Sequence, residues 1–371
     1  MAESGSEDGS DAQSSGGEDP GCLAAFAVSP TPFEKISCLG EGAFGAVWLA
    51  RCKETGRNIA LKEVPRHLAE PHLLYAERDV LRQVARSRED GSSWVSPALT
   101  ELVMSFTTSF AICLAMELVE GAHLLDHVRA ASRMSELQVQ WYTAELAAAL
   151  AWLHTAGWLY RDLKLTNVMV SLSQESYGRV KLIDYGFAFY GAWCDKAVGT
   201  LRTMAPEVIC CADSSWLEHL KLVCPTTVVG YGPAADWWSL GILLYELLTG
   251  QPPYGHQDDI VLEGFQTLQA QLASPGMQWP SDSVASGAAK EAVSAFCQIA
   301  PTDRPSSGAE VRRYEFFASM DWAAVDSSTA PGPSFDTTLG HTAASAAADP
   351  CRPRRGALPV ACEEPDPFSD W

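Results

Sequence analysis

Tyr160-Arg161-Asp162-Leu163-Lys164-Leu165-Thr166-Asn167, followed a short segment later by Asp184-Tyr185-Gly186, is the stretch on which the reading of this chain turns. The residue types and their order describe one chemical task. Asp162 can accept or orient a hydroxyl proton, Asn167 and Asp184 can hold magnesium, and Lys164 can neutralise charge on a moving phosphoryl group. A charged turn between two helices would explain either motif alone, but not both in this order.

Upstream, Gly40-Glu41-Gly42-Ala43-Phe44-Gly45-Ala46-Val47 sets three glycines between two strand-like runs. Glycine there lets backbone amides approach phosphate oxygens without a side-chain clash. The pattern also marks dinucleotide-binding folds, but those need the glycines to open a helix. Here a strand with Ile59-Ala60-Leu61-Lys62 follows, which favours a phosphate loop served by Lys62. Glu77 lies on the next expected helix and can hold the Lys62 ammonium against nucleotide phosphates. Pairing with Arg78 or Arg82 is the ordinary alternative for a helical glutamate. Glu70 is the competing acid, but it stands beside Pro71, before the helix is established.

Residues 1–32 carry six acids and no Lys or Arg among many Ser and Gly, so they are expected to form a disordered acidic arm. From Phe33 the pattern becomes strand-like: Ile36–Leu39, Ala46–Ala50, Asn58–Leu61, Leu102–Phe106 and Ile112–Leu118, with helical periodicity over Pro71–Val84. After Glu120 helices dominate. Leu137–Thr155 closes near Gly157 and Asp236–Thr249 closes on Gly250. Past Trp322 the Ala, Ser, Pro and Gly content predicts an extended tail. These patterns define an α+β chain with a strand-rich half of about 33–116, a helical half of about 117–317, and a tail over 318–371.

The 371 residues and the 47% apolar content support a folded globule with room for two lobes and a cleft. The net charge of -20 argues against a nucleic-acid binder, whose affinity rests on cationic contacts with phosphates. No apolar run is long enough to span a bilayer, and the opening residues do not read as a signal peptide. The eleven scattered cysteines fit a reduced intracellular chain, cytoplasmic and with the nucleus open as well.

Taken jointly, these motifs resemble the eukaryotic-type protein kinases from about Phe33 to Phe317. Ala205-Pro206-Glu207, Asp236-Trp237-Trp238-Ser239-Leu240-Gly241 and Arg304 continue the family order. The resemblance implies a bilobal kinase fold with a small antiparallel β-rich lobe holding one key helix. It implies ATP and magnesium as cofactors and serine or threonine hydroxyls of proteins as substrates. Lys62 would bind the α- and β-phosphates with Glu77 fixing it. Asp162 would be the catalytic aspartate, Lys164 the γ-phosphate contact, and Asn167 and Asp184 the metal ligands. Thr200 would contact the catalytic aspartate and lysine. Gly40, Glu41, Gly42, Ala43, Phe44 and Gly45 would cover the phosphates. Leu39, Val47, Ala60, Met116, Val119 and Met169 would wall the adenine, with backbone groups near Glu117 and Val119 on its edge. Glu207 and Arg304 would form a buried ion pair. Lys164 resembles the serine/threonine class. Phe316-Phe317, Asp321-Trp322 and the terminal Phe368-Ser369-Asp370-Trp371 resemble the AGC group, the cyclic-nucleotide-dependent kinases most of all. In those kinases the last aromatics can dock on the small lobe; two exposed aromatics in a loose tail is the alternative.

The chain also departs from that pattern. Lys196 stands where a phosphorylatable threonine is usual, so either Asp195 substitutes for phosphate or packing alone orders the segment. Tyr185 replaces phenylalanine and its hydroxyl needs a partner if buried. Thr166 and His123 replace substrate-reading glutamates, Glu246 keeps a third, and Leu201-Arg202-Thr203 is altered in the same region. Cys210, Cys211 and Cys224 lie in a long 209–232 segment, most simply as reduced surface-loop thiols. These departures motivate the competing class, a pseudokinase or scaffold that binds ATP and regulates a partner. The intact Lys62, Asp162, Asn167 and Asp184 set favours catalysis. A small-molecule phosphotransferase is disfavoured by Ala205-Pro206-Glu207 and the Asp236 helix. No cyclic-nucleotide-binding domain is recognisable, so such control would need a separate regulatory subunit.

Overall fold

The computed structural model describes residues 31–42, 45–91, 93–174, 176–212, 215–222, 224–225, 229–254, 277–327, 332–333, 368 and 371. Ala43 and Phe44, the expected arm up to residue 30 and most of the expected tail beyond 327 lie outside them. Pro32 onward forms one unit, strands first and helices after.

The strand-rich part is a five-stranded antiparallel sheet of order β1-β2-β3-β5-β4, with β1 Phe33–Gly42, β2 Gly45–Cys52, β3 Asn58–Pro65, β4 Leu102–Thr107 and β5 Ala111–Met116. The period of two decides which side chains serve the cleft. In β3, Ile59 and Leu61 are buried with Phe33, Ala50, Cys113 and Ala115 in one small core, so Ala60 and Lys62 face the other way. Helix α1 (Pro71–Asp90) packs beside this sheet. Proline stands in its first turn, and Leu74, Glu77, Arg78, Val80, Leu81 and Val84 are buried at helical spacing. It runs two turns past Val84, where the apolar period stops. Arg88 holds those turns by donating to Glu101 Oε2 (2.7 Å) and Leu99 O (2.7 Å), and Gly91 ends them at φ 59°.

The helical part is organised by α3 (Glu136–Thr155) and α6 (Ala234–Thr249). A reciprocal Ser135–Gln138 cap starts α3. Helix α6 is buried almost throughout, with Trp237 and Trp238 fully enclosed. Gly241 lets helix α7 (Gly287–Phe296) approach: a Cβ there would meet Phe296 Cβ and Cys297 Sγ at 2.6 Å. Three short strands, β6 (Gly121–His123), β8 (Val168–Ser171) and β9 (Val180–Leu182), form a small sheet; the 160–167 loop leads into β8 and the 184–186 loop follows β9.

The Glu207–Arg304 pair forms with both side chains fully enclosed, at 2.6 and 2.9 Å. Arg304 also donates to the Gln298, Ile299 and Ala234 carbonyls and lies over the Trp238 ring. A second buried pair, Glu145–Arg179 (2.5 Å), has no sequence signature.

Two expectations need correction. Trp322–Asp326 is a helical turn rather than extended chain, because Asp321 caps it and Arg312 grips Asp326 at 2.8 and 2.9 Å. Cys210 and Cys224 are buried rather than on the surface, Cys210 packed with Ile209, Leu217 and Leu220. Cys38, Cys52, Cys113, Cys194, Cys210, Cys211 and Cys297 carry free thiols.

Glu207→Ala leaves the enclosed Arg304 charge without its carboxylate. It should lower unfolding free energy by about 3–5 kcal/mol, as breaking a buried pair does. Denaturant titration of native and variant chains measures this, and an unchanged midpoint would contradict the anchoring role.

Candidate active site

The first part of the site hangs between sheet and helix. Lys62 Nζ donates to both Glu77 oxygens, at 2.8 and 2.7 Å, and stands 3.7 Å from Asp184 Oδ1. Burial alone would lower the Lys62 pKa, but the Glu77 and Asp184 carboxylates outweigh it and push it up, so the ammonium stays charged. The buried Glu77 is the acid that meets Lys62. Glu70 is the N-cap residue of α1, and its carboxylate lies 3.8 Å from exposed His72 instead. Desolvation would raise the Asp184 pKa. Lys62, the Gly186 N–H (2.9 Å) and Lys164 outweigh it and hold the carboxyl below its ordinary range.

The second part is the 160–167 loop, which is pinned to α6. The buried Asp236 carboxylate accepts from Tyr160 N (2.9 Å) and Arg161 N (2.7 Å) and bonds His154 Nε2 (2.8 Å). This holds Arg161 at φ 71°, a left-handed geometry uncommon outside glycine. The loop then presents Asp162 inward. Its Oδ1 accepts from Thr200 Oγ1 (2.7 Å), and its Oδ2 meets Asn167 Nδ2 (2.9 Å) and Lys164 Nζ (2.8 Å). Lys164 Nζ also donates to Thr200 Oγ1 at 2.8 Å. Gly199 is required beside them: at φ 112°, a Cβ would meet Arg161 O at 2.3 Å. Lys62, Glu77, Asp184, Asp162, Asn167, Lys164 and Thr200 are thus joined by direct contacts, apart from the step between Asp184 and the loop.

Residues expected to wall the nucleotide lie on two sheets. Ala60 pairs with Met116, Val47 with Lys62, and Met169 with His123. Leu39 is exposed and Met116 is buried. Gly40 has open space where a Cβ would stand, and the nearest atom to such a Cβ on Gly42 is Gly45 O at 4.0 Å. Gly45 is at φ 149°, and a Cβ would run into Glu63 O at 2.2 Å. Glu117, on the segment after β5, donates its N–H to Glu101 O (3.0 Å) and binds Lys181 Nζ at 2.5 Å. Val119 is half-buried beyond it. The donor set fits magnesium, which takes few protein oxygens and completes its shell with phosphates and water. Asn167 Nδ2 donates to the Asp162 carbonyl and carboxylate, so the amide oxygen is the atom of its side chain suited to a metal, and the Asp184 side chain is 46% exposed.

Tyr231, Cys194 and Thr100 were not identified from sequence, and they are partners of residues that were. Arg161 donates from Nε to Phe187 O (2.6 Å) and from Nη1 to Cys194 Sγ (3.2 Å) and Tyr231 Oη (3.3 Å), and it lies over the Phe189 ring. Tyr231 Oη donates to Lys196 O at 2.7 Å, and Cys194 and Tyr231 exchange backbone bonds. Among the described residues Asp195 forms no ion pair with Arg161; packing and the Tyr231 hydroxyl order this segment. The Tyr185 hydroxyl finds its partners in Thr100 N (3.1 Å) and Leu182 O (3.3 Å). The terminal aromatics are docked. Phe368 is buried with Val64, Leu74 and Ile112, while Trp371 lies over Arg78 and donates to Cys113 O (3.4 Å). Both therefore brace the helix that carries Glu77.

The Lys62–Glu77 pair, the 160–167 loop and Asp184 stand in the order along the fold that the sequence motifs imply. Residues 33–317 match the protein kinase domain model, and the chain belongs to the protein kinase family. It is 33% identical over 305 residues to protein kinase C eta type of Mus musculus, covering 79% of this chain and 39% of that one. It is 30% identical over 307 residues to RAC-beta serine/threonine-protein kinase of Rattus norvegicus, covering 80% and 56%. The RAC family serine/threonine-protein kinase homolog of Dictyostelium discoideum is 29% identical over 324 residues, covering 84% and 64%. The chain therefore spans less than two thirds of the length of these relatives, which belong to the AGC group.

Tyr231→Phe removes one hydroxyl that serves both Arg161 and the Lys196 carbonyl, a loss of about 1–3 kcal/mol for buried groups left unpaired. Amide hydrogen exchange over residues 194–204 should accelerate while the sheet stays protected. Unchanged exchange there would show that the hydroxyl does not order the segment.

Proposed function

We propose that this chain is an ATP-dependent protein serine/threonine kinase. The observation that carries the reading is the contact chain Glu77–Lys62–Asp184 facing Asn167–Asp162–Lys164–Thr200 across one cleft. The Lys62 ammonium, fixed by Glu77, would hold the α- and β-phosphates beneath the glycine turn. Asp162 would orient a substrate hydroxyl and receive its proton. The hydroxyl oxygen bonds to the γ-phosphorus as the bridging oxygen–phosphorus bond breaks, and the electron pair leaves on ADP. Lys164 would offset charge on the moving group, and Thr200 would keep Asp162 and Lys164 in register. Magnesium held by Asn167 and Asp184 would supply charge shielding of the phosphates. Catalysis of this kind is positioning and electrostatics rather than covalent chemistry.

Protein substrates follow from the family, and a separate regulatory subunit is compatible with the exposed faces of the helical part. We place the chain in the cytoplasm, supported by the free thiols of Cys38, Cys52, Cys113, Cys194, Cys210, Cys211 and Cys297, as expected of a reducing compartment. Among the described residues no helix is long and apolar enough to cross a membrane.

Radiolabelled ATP with a mixed protein substrate tests the reading. Asp162→Asn should lower transfer by about 10²–10⁴-fold, the share of a positioned base, and Asp184→Ala should remove the magnesium-dependent part. Equal labelling by native and both variants would contradict it.

A further inference from the structure

Tyr185 is fully buried next to Asp184, and its hydroxyl plays no part in the proposed transfer. The ring meets Tyr160 edge-on, with centroids 5.9 Å apart. Phenylalanine would fill that space as well; the hydroxyl is what differs. It accepts the Thr100 N–H (3.1 Å) and donates to Leu182 O (3.3 Å). Thr100 Oγ1 donates to the same carbonyl at 2.8 Å. Burial pushes the Tyr185 phenol up, so the hydroxyl keeps its proton and both roles.

These bonds join two separate parts of the chain. Leu182 ends β9, two residues before Asp184, whereas Thr100 lies between α1 and β4. The segment around Thr100 is itself fixed. Ala98 O accepts from Leu182 N (2.8 Å), Leu99 O from Arg88 Nη2 (2.7 Å) and Glu101 O from Glu117 N (3.0 Å). Thr100 is 2% exposed, so its N–H is a stationary, desolvated donor that is costly to leave without an acceptor. Asp184 is held more lightly. Its side chain is 46% exposed, and Lys62 Nζ stands 3.7 Å away, beyond hydrogen-bond distance. Its bond from Gly186 N (2.9 Å) lies inside the same turn and would move with it. Neither contact decides which way the 184–186 turn faces. The adjoining side chain does, because swinging Asp184 out of the cleft would draw the Tyr185 ring from the core and strand the Thr100 N–H.

We propose that the Tyr185 hydroxyl, with Thr100 as its partner, is the positioning group for Asp184, latching the 184–186 turn so that the carboxylate faces the cleft before any ligand arrives. The inference rests on the kinase reading for the task of Asp184. A ring without the hydroxyl keeps its apolar contacts and loses the latch, so the turned-out state gains population and a ligand of Asp184 must first reverse that shift. The tyrosine that departs from the family pattern therefore favours a competent centre.

Tyr185→Phe in the full chain tests this, because it deletes the hydroxyl alone. Thr100→Val removes the second donor to Leu182 O and keeps the shape. Two quantities are read: amide hydrogen exchange of the ligand-free chain over residues 182–187, and the magnesium concentration that half-saturates the ATP-induced thermal shift. Tyr185→Phe should speed that exchange and raise the half-saturating magnesium, each about tenfold, equivalent to about 1.4 kcal/mol. Strand β5 should stay protected and KM for a peptide substrate should stay unchanged. Thr100→Val should move both quantities the same way by less. Unchanged exchange over 182–187, or faster exchange there with no magnesium shift, overturns the positioning role and leaves the kinase activity standing. Acceleration spread over the whole chain overturns it as well, since the hydroxyl would then serve general stability. Both shifts in a chain that transfers no phosphate to any substrate support the latch and overturn the kinase reading.

Discussion

The Asp236 carboxylate is the constraint on which the site depends. Buried at the start of α6, it takes two successive backbone N–H groups, Tyr160 and Arg161, and the His154 ring. Charge-assisted bonds to backbone N–H groups in a desolvated setting are among the stronger ones available. They hold Arg161 in its left-handed conformation, and that conformation sends Asp162 inward and the guanidinium outward. Helix α6 therefore acts as a fixed platform, with its own Trp237 and Trp238 enclosed and α7 packed close against it.

From this platform two arrangements diverge. Inward, Asp162, Asn167, Lys164 and Thr200 share bonds so closely that moving one disturbs the others. Outward, Arg161 gathers Phe187, Cys194 and Tyr231, and through Tyr231 the Lys196 carbonyl. The segment between Asp184 and Glu207 is thus held at both ends and at its middle by groups the unmodified chain already has. Above the cleft, Phe368 and Trp371 press on α1, and the Lys62–Glu77 pair closes the remaining side. In the proposed reading the centre is assembled by folding alone.

Much of this was legible in the sequence because it rests on local spacing. The 160–167 and 184–186 motifs, the alternation that turns Lys62 to the cleft, and the helical period that brings Glu77 rather than Glu70 to it all lie within one element or turn. The Glu207–Arg304 pair was expected from resemblance, and its geometry agrees. What stayed hidden was long-range pairing between side chains of ordinary type. Nothing near Tyr231 marks it as the partner of a residue 70 positions away, and Thr100 carries no sign that it receives the Tyr185 hydroxyl. The burial of Cys210 and Cys224 was missed because tertiary packing, rather than the polarity of their neighbours, decides it. The helical turn at Trp322–Asp326 depends on Arg312 from outside its own segment, so composition pointed the other way.

In the proposed reading the site is complete without phosphate on the 184–207 segment. The direct measurement is the phosphotransfer rate of the full chain after exhaustive phosphatase treatment, with loss of phosphate confirmed by intact mass. An undiminished rate is predicted, because Tyr231 and Cys194 occupy the Arg161 guanidinium that a phosphate would otherwise engage. A rate that collapses on dephosphorylation and returns on rephosphorylation of this segment would contradict the account.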